Sequence, residues 1–478
     1  MINGKHLAQW GLPQGQVYGI VLSFINNIDL HRKQAQRIIQ DMVKNPHDYI
    51  TDETWGEAAR LLLPVESKEI SLNDDTCPLT IYGKGMIEQG ALDQIDIASR
   101  LPVSLRAACM PDGHQGYGLP IGGVLAVDNA VIPYAVGVDI GCRMHMTIMD
   151  IPFHDIKGQK EKLAKIVVDN TIFGMGDKGV THTHHPVLED ENFRITKKIK
   201  SLRPKAINQI GSSGSGNHFV NLGWVTFPQD GIYEPRLAIL SHSGSRGMGS
   251  KIAKIYTDIA MDLCCLPSHA KHLAWLDMDS EAGQEYWAAM NLAGDYAKAN
   301  HEVLHARIVK ALGGEVHRVI QNHHNFAWKE QVTLADGTTK EAIVHRKGAT
   351  PAGAGVIGLI PGSMTTPSYI AKGLGSAEAV NSSSHGAGRM MSRKHAKEQL
   401  TMSFMRQDLE RQGVTLIGGS LDECSAAYKD IRKVMAQQTE LVEIAGEFTP
   451  WIVRMAEDQP KPWDKKKKQK VVDNCGGI

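Results

Sequence analysis

Apolar residues at Leu30, Ile38, Ile39, Met42 and Val43 fall among charged ones between Asp29 and Lys44. This is the spacing of one helical stripe, and Asn45-Pro46 predicts its end. Asp52 is placed to cap a second helix running through Leu61-Leu62-Leu63 to a stop at Pro64. From Pro78 the pattern shortens: Leu79–Tyr82, Gly122–Val127, Ala130–Ile132 and Arg143–Ile148 read as strands, the last alternating as a half-buried strand does. Helical stretches return at Ile156–Val168, at Gly249–Leu263 and from about Ser280 to Ala311. Residues 331–345 read as a hairpin turning at Ala335-Asp336-Gly337. Strands and helices are mixed without a βαβ rhythm, which favours an α+β fold over a doubly wound sheet. The same change of texture divides the chain into a helical N-terminal extension, 1–77, a single large mixed domain, 78–455, and a tail, 456–478, with a basic run at 461–470. That run reads as a solvated end, with an electrostatic foot on a nucleic-acid backbone as the lesser reading.

Charge is balanced, 52 Lys+Arg against 52 Asp+Glu, so no whole-molecule field argues for nucleic acid or a membrane, and any such surface is local. Seven Cys without a C-x-x-C pair read as reduced thiols rather than a disulfide framework. The N-terminus lacks a cationic region followed by an apolar core, and no window has the length of a membrane span, which predicts a cytoplasmic protein. The 47 Gly gather at 113–123, 211–216, 244–249, 353–362 and 386–388, implying several ligand-facing loops on one scaffold.

Chemistry concentrates at strand ends. Ala135-Val136-Gly137-Val138-Asp139-Ile140-Gly141-Cys142 holds a carboxylate and a thiol close enough to share one divalent ion, and fits equally a core Cys beside a turn Asp. Gly211-Ser212-Ser213-Gly214-Ser215-Gly216-Asn217-His218 is a loop entering a strand at Phe219-Val220, with N–H groups and an amide to offer phosphate oxygens. The strand ending at His242, followed by a Gly-rich loop with Arg246, and the strand ending at His323-His324-Asn325 repeat that design. Val344–Thr350 and Leu359–Met364 add cationic and Gly/Ser loops; neither fits a Walker A or Rossmann pattern, so any nucleotide site is of another kind. Asn381–Arg389 reads as the entrance to a helix continuing through Lys394, where His385 could meet a phosphate against exposed N–H groups. Asp139, Cys142, His218, His242 and His324 together suffice for two divalent ions. Such donors suit zinc, cobalt or manganese, and affinity alone favours zinc.

These motifs, with Met110-Pro111-Asp112-Gly113-His114-Gln115-Gly116-Tyr117-Gly118, resemble in content and order the RtcB family of GTP-dependent RNA ligases over about residues 78–450. The resemblance implies an RtcB-like catalytic domain that joins an RNA 3′-phosphate or 2′,3′-cyclic phosphate to a 5′-hydroxyl, in RNA repair or tRNA splicing. It implies two manganese(II) ions per chain, one held by Cys142, His218 and His242 and the other by Asp139, Cys142 and His324. It makes His385 the nucleophile that becomes guanylyl-histidine, and places Asp112, Arg246 and Arg389 as further catalytic or RNA-end contacts. For the GTP co-substrate it implies Asn217, His218, Phe219, Val220, Asn221, His324, Asn325, Lys347, Pro361, Gly362, Ser363, Met364, Ser368 and the loop His385-Gly386-Ala387-Gly388. An archease-type activator is a further partner the family suggests.

Two positions depart from the family. Asn221 stands where members place a Glu that accepts from guanine, and an amide offers one acceptor oxygen where a carboxylate offers two. The chain runs on to Asn474-Cys475-Gly476-Gly477-Ile478 where members commonly end in Lys-Gly. Rival readings are a metal-dependent phosphoesterase acting on cyclic phosphates or phosphomonoesters, which would form no covalent nucleotide adduct, and a non-catalytic RNA-end binder. The physiological RNA and the oligomeric state are not written in the sequence.

Overall fold

The computed structural model describes residues 2–13, 15–28, 30–63, 69–174, 183–227 and 232–457. The basic run at 461–470 lies outside the described residues. The chain forms two compact units, Met1–Lys68 and Glu69–Ile478. The change of texture at 77/78 thus falls later than the change of unit. Residues 69–77 have neither helix nor strand to mark them, yet the Ile70 N–H donates to Cys265 O at 2.8 Å and the Cys77 N–H to Ser99 O at 2.9 Å.

The smaller unit is helical. Gly4–Gln9, Gln16–Ile28, Arg32–Lys44 and Gly56–Arg60 surround a core that includes Leu7, Val21, Ile39, Met42 and Trp55. Asp52 Oδ1 accepts from the N–H groups of Thr54 and Trp55 in the turn before the helix, but the helix is only Gly56–Arg60, has Trp55 at its N-cap position without a side-chain cap, and stops short of Leu61-Leu62-Leu63. The pattern of charge and apolar residues did not reveal Gln16–Ile28, because its run from Tyr18 to Ile25 is too continuously apolar to show a stripe.

Mixed but mainly antiparallel sheets build the larger unit, as the missing βαβ rhythm predicts. One sheet has eight strands: seven in the order Ile357–Ile360, Ser368–Gly373, Val442–Met455, Phe219–Phe227, Ile232–Ser243, Arg143–Pro152 and Val316–His323, with Thr415–Ile417 pairing parallel to Val442–Met455. A second has five, in the order Leu79–Ile81, Ser104–His114, Ile121–Val127, Thr339–Lys347 and Asn325–Thr333, and two strand pairs complete the set among the described residues. The predicted hairpin closes as read, with Thr333 opposite Thr339. The chain leaves the larger sheet at His323 and enters the smaller at Asn325, so His324 is the step between them. Helix Glu281–Leu312, capped by Ser280, packs Leu304 and Ile308 against Val220, Leu222 and Ile239 of the larger sheet. No helix among the described residues is long and apolar enough to cross a membrane.

Another element differs from its reading at the site itself. Ser382–Ser384 is a strand paired with Ala349–Pro351, and the helix starts only at Arg393, where Ser392 caps it. His385 therefore follows a strand and does not sit in a helix entrance, so a helix dipole has no part in its chemistry. The run of small residues can form either local structure, and the partner strand decides.

Candidate active site

Four neighbouring strands of the larger sheet end at one place. Arg143 lies opposite Ser243 and His323, and His242 lies opposite Met144 and Phe219. This register sets Cys142 and His218 just before their strands, beside His242 and His324. Cys142 Sγ lies 3.1 Å from His242 Nε2 and 3.8 Å from His218 Nε2. His218 Nε2 lies 2.9 Å from Asp139 Oδ2, and His242 Nε2 lies 3.1 Å from His324 Nε2. Asp139 comes this close because residue 244 is Gly, where a Cβ would occupy the place of its carboxylate.

All five expected ligands thus converge, but their partition differs from what the resemblance implied. The trios whose donor atoms lie within 4.8 Å of one another are Cys142–His242–His324 and Asp139–Cys142–His218. Relative to the implied sets His218 and His324 have exchanged places, while His242 keeps its set and Cys142 is common to both. Donor chemistry fits divalent cations. Ser213 O, 2.7 Å from His218 Nδ1, and Asn217 O, 3.1 Å from His242 Nδ1, can only accept, so both Nδ1 atoms carry a proton and Nε2 is in each case the ring nitrogen turned to the cluster. Burial holds His242 down to about 3 and His324 well below the usual range, leaving both imidazoles in the neutral, ligating form. Burial pushes the Asp139 carboxyl up, but the hydrogen bond and charge of His218 outweigh it and leave the group below its usual value. Burial and the Asp139 charge push the Cys142 thiol well up, so a thiolate here requires a cation beside it.

His385 stands next to this cluster, its ring centroid 5.1 Å from that of His324. Asp112, fully buried, holds it: Asp112 Oδ2 lies 2.6 Å from His385 Nδ1 and accepts from the His385 and Gly386 N–H groups at 3.0 and 3.2 Å. Burial pushes Asp112 up, but the His385 charge and hydrogen bond prevail and its carboxyl sits below the ordinary value. An ionised Asp112 fixes the proton on Nδ1 and leaves the Nε2 lone pair free, the tautomer a nucleophile needs. Gly388, at φ 72°, lets the following loop fold over Asp112, whose carbonyl a Cβ would strike.

A cavity of about 790 Å³ opens over both centres. Asn217, Phe219, Asn221, His324, Asn325, Lys347, Pro361, Gly362, Ser363, Met364, Ser368, the loop 385–388 and Arg389 line it, together with Asp139, Cys142 and His242. Burial pushes the Lys347 ammonium down to about 7. Expected residues also lie elsewhere. Val220 points to the opposite face of its sheet, among Leu222 and Ile239. The Arg246 guanidinium donates to Gly174 O at 2.8 Å and Ser212 Oγ at 3.2 Å and is not among the lining residues, though the Asp139 charge reaches it. Asp112 and His218 stand behind the lining residues they orient or accompany. Asn325 proves to be a tie, its amide reaching Asp139 O at 3.4 Å while its oxygen accepts from the Gly348 N–H at 2.7 Å.

Sequence reasoning assigned nothing to Glu88, His114, Gln115, Tyr117, Tyr134, Glu423, Tyr428, Val453 and Met455, which also line the cavity. For His114, Gln115 and Tyr117 a signal existed, since they belong to the 110–118 motif; for the last four no local pattern marks them.

Fold and site define a class: an α+β protein whose paired sheets present a thiol, carboxylate and imidazole cluster, suited to divalent cations, beside a carboxylate-held histidine in a large cavity. The profile of the family described as "tRNA-splicing ligase RtcB" matches residues 94–194 and 187–456, and the chain belongs to the RtcB family. It is 32% identical over 407 residues to the RNA-splicing ligase RtcB of Escherichia coli K12, covering 78% of this chain and 96% of that protein. It is 30% identical over 421 residues to the tRNA-splicing ligase RtcB of Thermococcus kodakarensis, covering 73% and 87%. The tRNA-splicing ligase RtcB of Nanoarchaeum equitans is 30% identical over 451 residues, covering 78% and 94%.

Proposed function

We propose that this chain is a cytoplasmic RNA ligase that joins 3′-phosphate or 2′,3′-cyclic phosphate ends to 5′-hydroxyl ends through a nucleotide carried on His385, with GTP as co-substrate and two manganese ions per chain. The observation that carries the reading is the Asp112–His385 pair, in which the carboxylate holds the Nδ1 side of a ring that adjoins the ligand cluster. A phosphoesterase working through a cation alone would have no use for it.

In this scheme the His385 Nε2 lone pair attacks the α-phosphorus of GTP, and pyrophosphate leaves. An RNA 3′-phosphate oxygen then takes the GMP from His385, and the 5′-hydroxyl displaces GMP to form the phosphodiester; a cyclic end is first hydrolysed to the 3′-phosphate. Asp112 holds the Nδ1 proton throughout and stabilises the positive charge that develops on the ring. Lys347, in the cavity wall, attracts the triphosphate and returns to its charged state as the anion arrives. Cations held by Asp139, Cys142, His218, His242 and His324 would offset negative charge on phosphoryl oxygens. Asn221 faces the cavity with a buried Oδ1 that has no hydrogen-bond partner, an acceptor ready for one base N–H.

Incubation with each labelled nucleoside triphosphate and manganese tests the reading. Acid-labile label is expected on the wild type and absent from His385→Ala and from samples without the metal. Wild-type protein that releases phosphate from RNA ends without ever becoming labelled refutes it in favour of a hydrolase. Labelling by ATP in preference to GTP keeps the mechanism and reassigns the base.

A further inference from the structure

The proposed reactions use the metal cluster, His385, Asp112, Lys347 and the wall built on the larger sheet. They leave one part of the cavity without a task, the aromatic rim at Tyr117. Tyr117 there is 67% exposed, although a ring of that size is ordinarily tucked against protein. It does not stand alone. Its ring centroid lies 6.1 Å from that of Tyr134 and 6.2 Å from that of His272, and the last two are 5.1 Å apart, so three rings form one tilted cluster with Tyr117 outermost. Val138, 48% exposed, also lines this side of the cavity.

The rim is tied to the reacting centre. Lys347 Nζ donates to Tyr117 O and stands 5.5 Å from the centre of the Tyr134 ring. The next residue, Gly348, abuts the nucleophile: a Cβ there would lie 3.0 Å from His385 Cε1. Two consecutive residues therefore link the aromatic rim to His385, with a cation between. Phe219, Asn221 and Met364, among the residues implied for the nucleotide, belong to the larger sheet or lie against it, whereas Tyr117 follows Ser104–His114 in the smaller, beside Lys347 at the end of Thr339–Lys347. An exposed aromatic face beside a phosphate-attracting cation is what an unpaired base and its phosphate require, because every base has a π-face to stack and every nucleotide brings an anion.

We propose that Tyr117, backed by Tyr134 and His272, is a stacking subsite for the terminal nucleobase of the RNA strand whose end reacts at His385. The proposal rests on the ligase reading, and its test separates the two. Tyr117→Ala and Tyr117→Phe are compared with wild type for nucleotide adduct formation, for joining of RNA, and for quenching of 2-aminopurine placed as the terminal base of a 3′-phosphate or of a 5′-hydroxyl oligonucleotide. Tyr117→Ala is expected to lower joining about tenfold or more with subsaturating RNA, while adduct formation stays within about twofold and Phe restores joining. A substrate abasic at the terminal position should bring wild type down to the level of Tyr117→Ala and make the two proteins alike; whether the 3′ or the 5′ strand shows this identifies the end that is bound. Joining unaffected by Tyr117→Ala, quenching equal in all three proteins, Phe no better than Ala, or adduct formation falling in step with joining each overturns the subsite. Absence of any adduct in wild type with Tyr117-dependent quenching still present overturns the ligase reading and leaves the base-stacking subsite standing.

Discussion

Asp112 is fully buried yet keeps an ionised carboxylate, because one oxygen receives the His385 ring and two backbone N–H groups. Replacing it by Asn removes the charge and permits the wrong tautomer of His385. Adduct formation in Asp112→Asn should fall by about 10²- to 10⁴-fold with the fold retained, measured as the rate of nucleotide labelling alongside circular dichroism. Lys347 offers a test of a different kind. Held down to about 7 by burial, it loses its charge as pH rises through that value, whereas a bound triphosphate favours the protonated form. Nucleotide affinity should therefore weaken from about pH 7 upward in the wild type, and Lys347→Arg, which keeps its charge, should flatten the dependence when binding is titrated across pH 6 to 9.

At the scale of elements, the turn that delivers His385 is held under strain. Val380 and Asn381 both have positive φ, 49° and 48°, which for a β-branched residue such as Val380 is costly. Arg346, completely buried, clamps it. The guanidinium donates to Glu330 Oε1 and Oε2 at 2.7 and 2.8 Å, to Val380 O at 3.0 Å and to Ser382 Oγ at 2.8 Å, and lies 4.8 Å from the centre of the Trp328 ring. Arg346→Met would leave the Glu330 carboxylate unpaired and the turn unsupported. A loss of about 3 to 5 kcal/mol is expected in urea unfolding, with Glu330→Gln costing less because the amide still accepts one of the two bonds. The strand at 382–384 belongs to the same lesson: its residues alone read as a helix entrance, and pairing with 349–351 overrode that reading.

For the molecule as a whole, acid is the vulnerable direction. His345 is buried between strands, its Nε2 2.9 Å from the Ile132 N of the bond it accepts and its Nδ1 3.3 Å from Leu125 O, and burial holds its pKa down to about 4; burial does the same to His145. Both titrate near 6.5 in the unfolded chain. Between these values the unfolded state binds protons that the folded state refuses, so their contribution is complete above about pH 6.5 and is lost as pH falls towards 4. Each should add up to about 1.4 kcal/mol per pH unit to the slope, so the melting temperature should decline steeply from pH 6.5 to 4.5, and His345→Gln should make the decline shallower.

The sequence by itself determined the candidate donor side chains, their place at strand ends, the α+β class and the family, because strand alternation, glycine loops and His, Cys and Asp near strand ends are all local patterns. Tertiary structure decided which of those side chains meet, since that depends on the register of four strands and on the step between sheets at His324. It also placed Val220 on the opposite face of its sheet and drew in Tyr134, Glu423 and Tyr428. Distance along the chain carries no information about such meetings; sheet pairing and burial bring together residues that no local pattern connects.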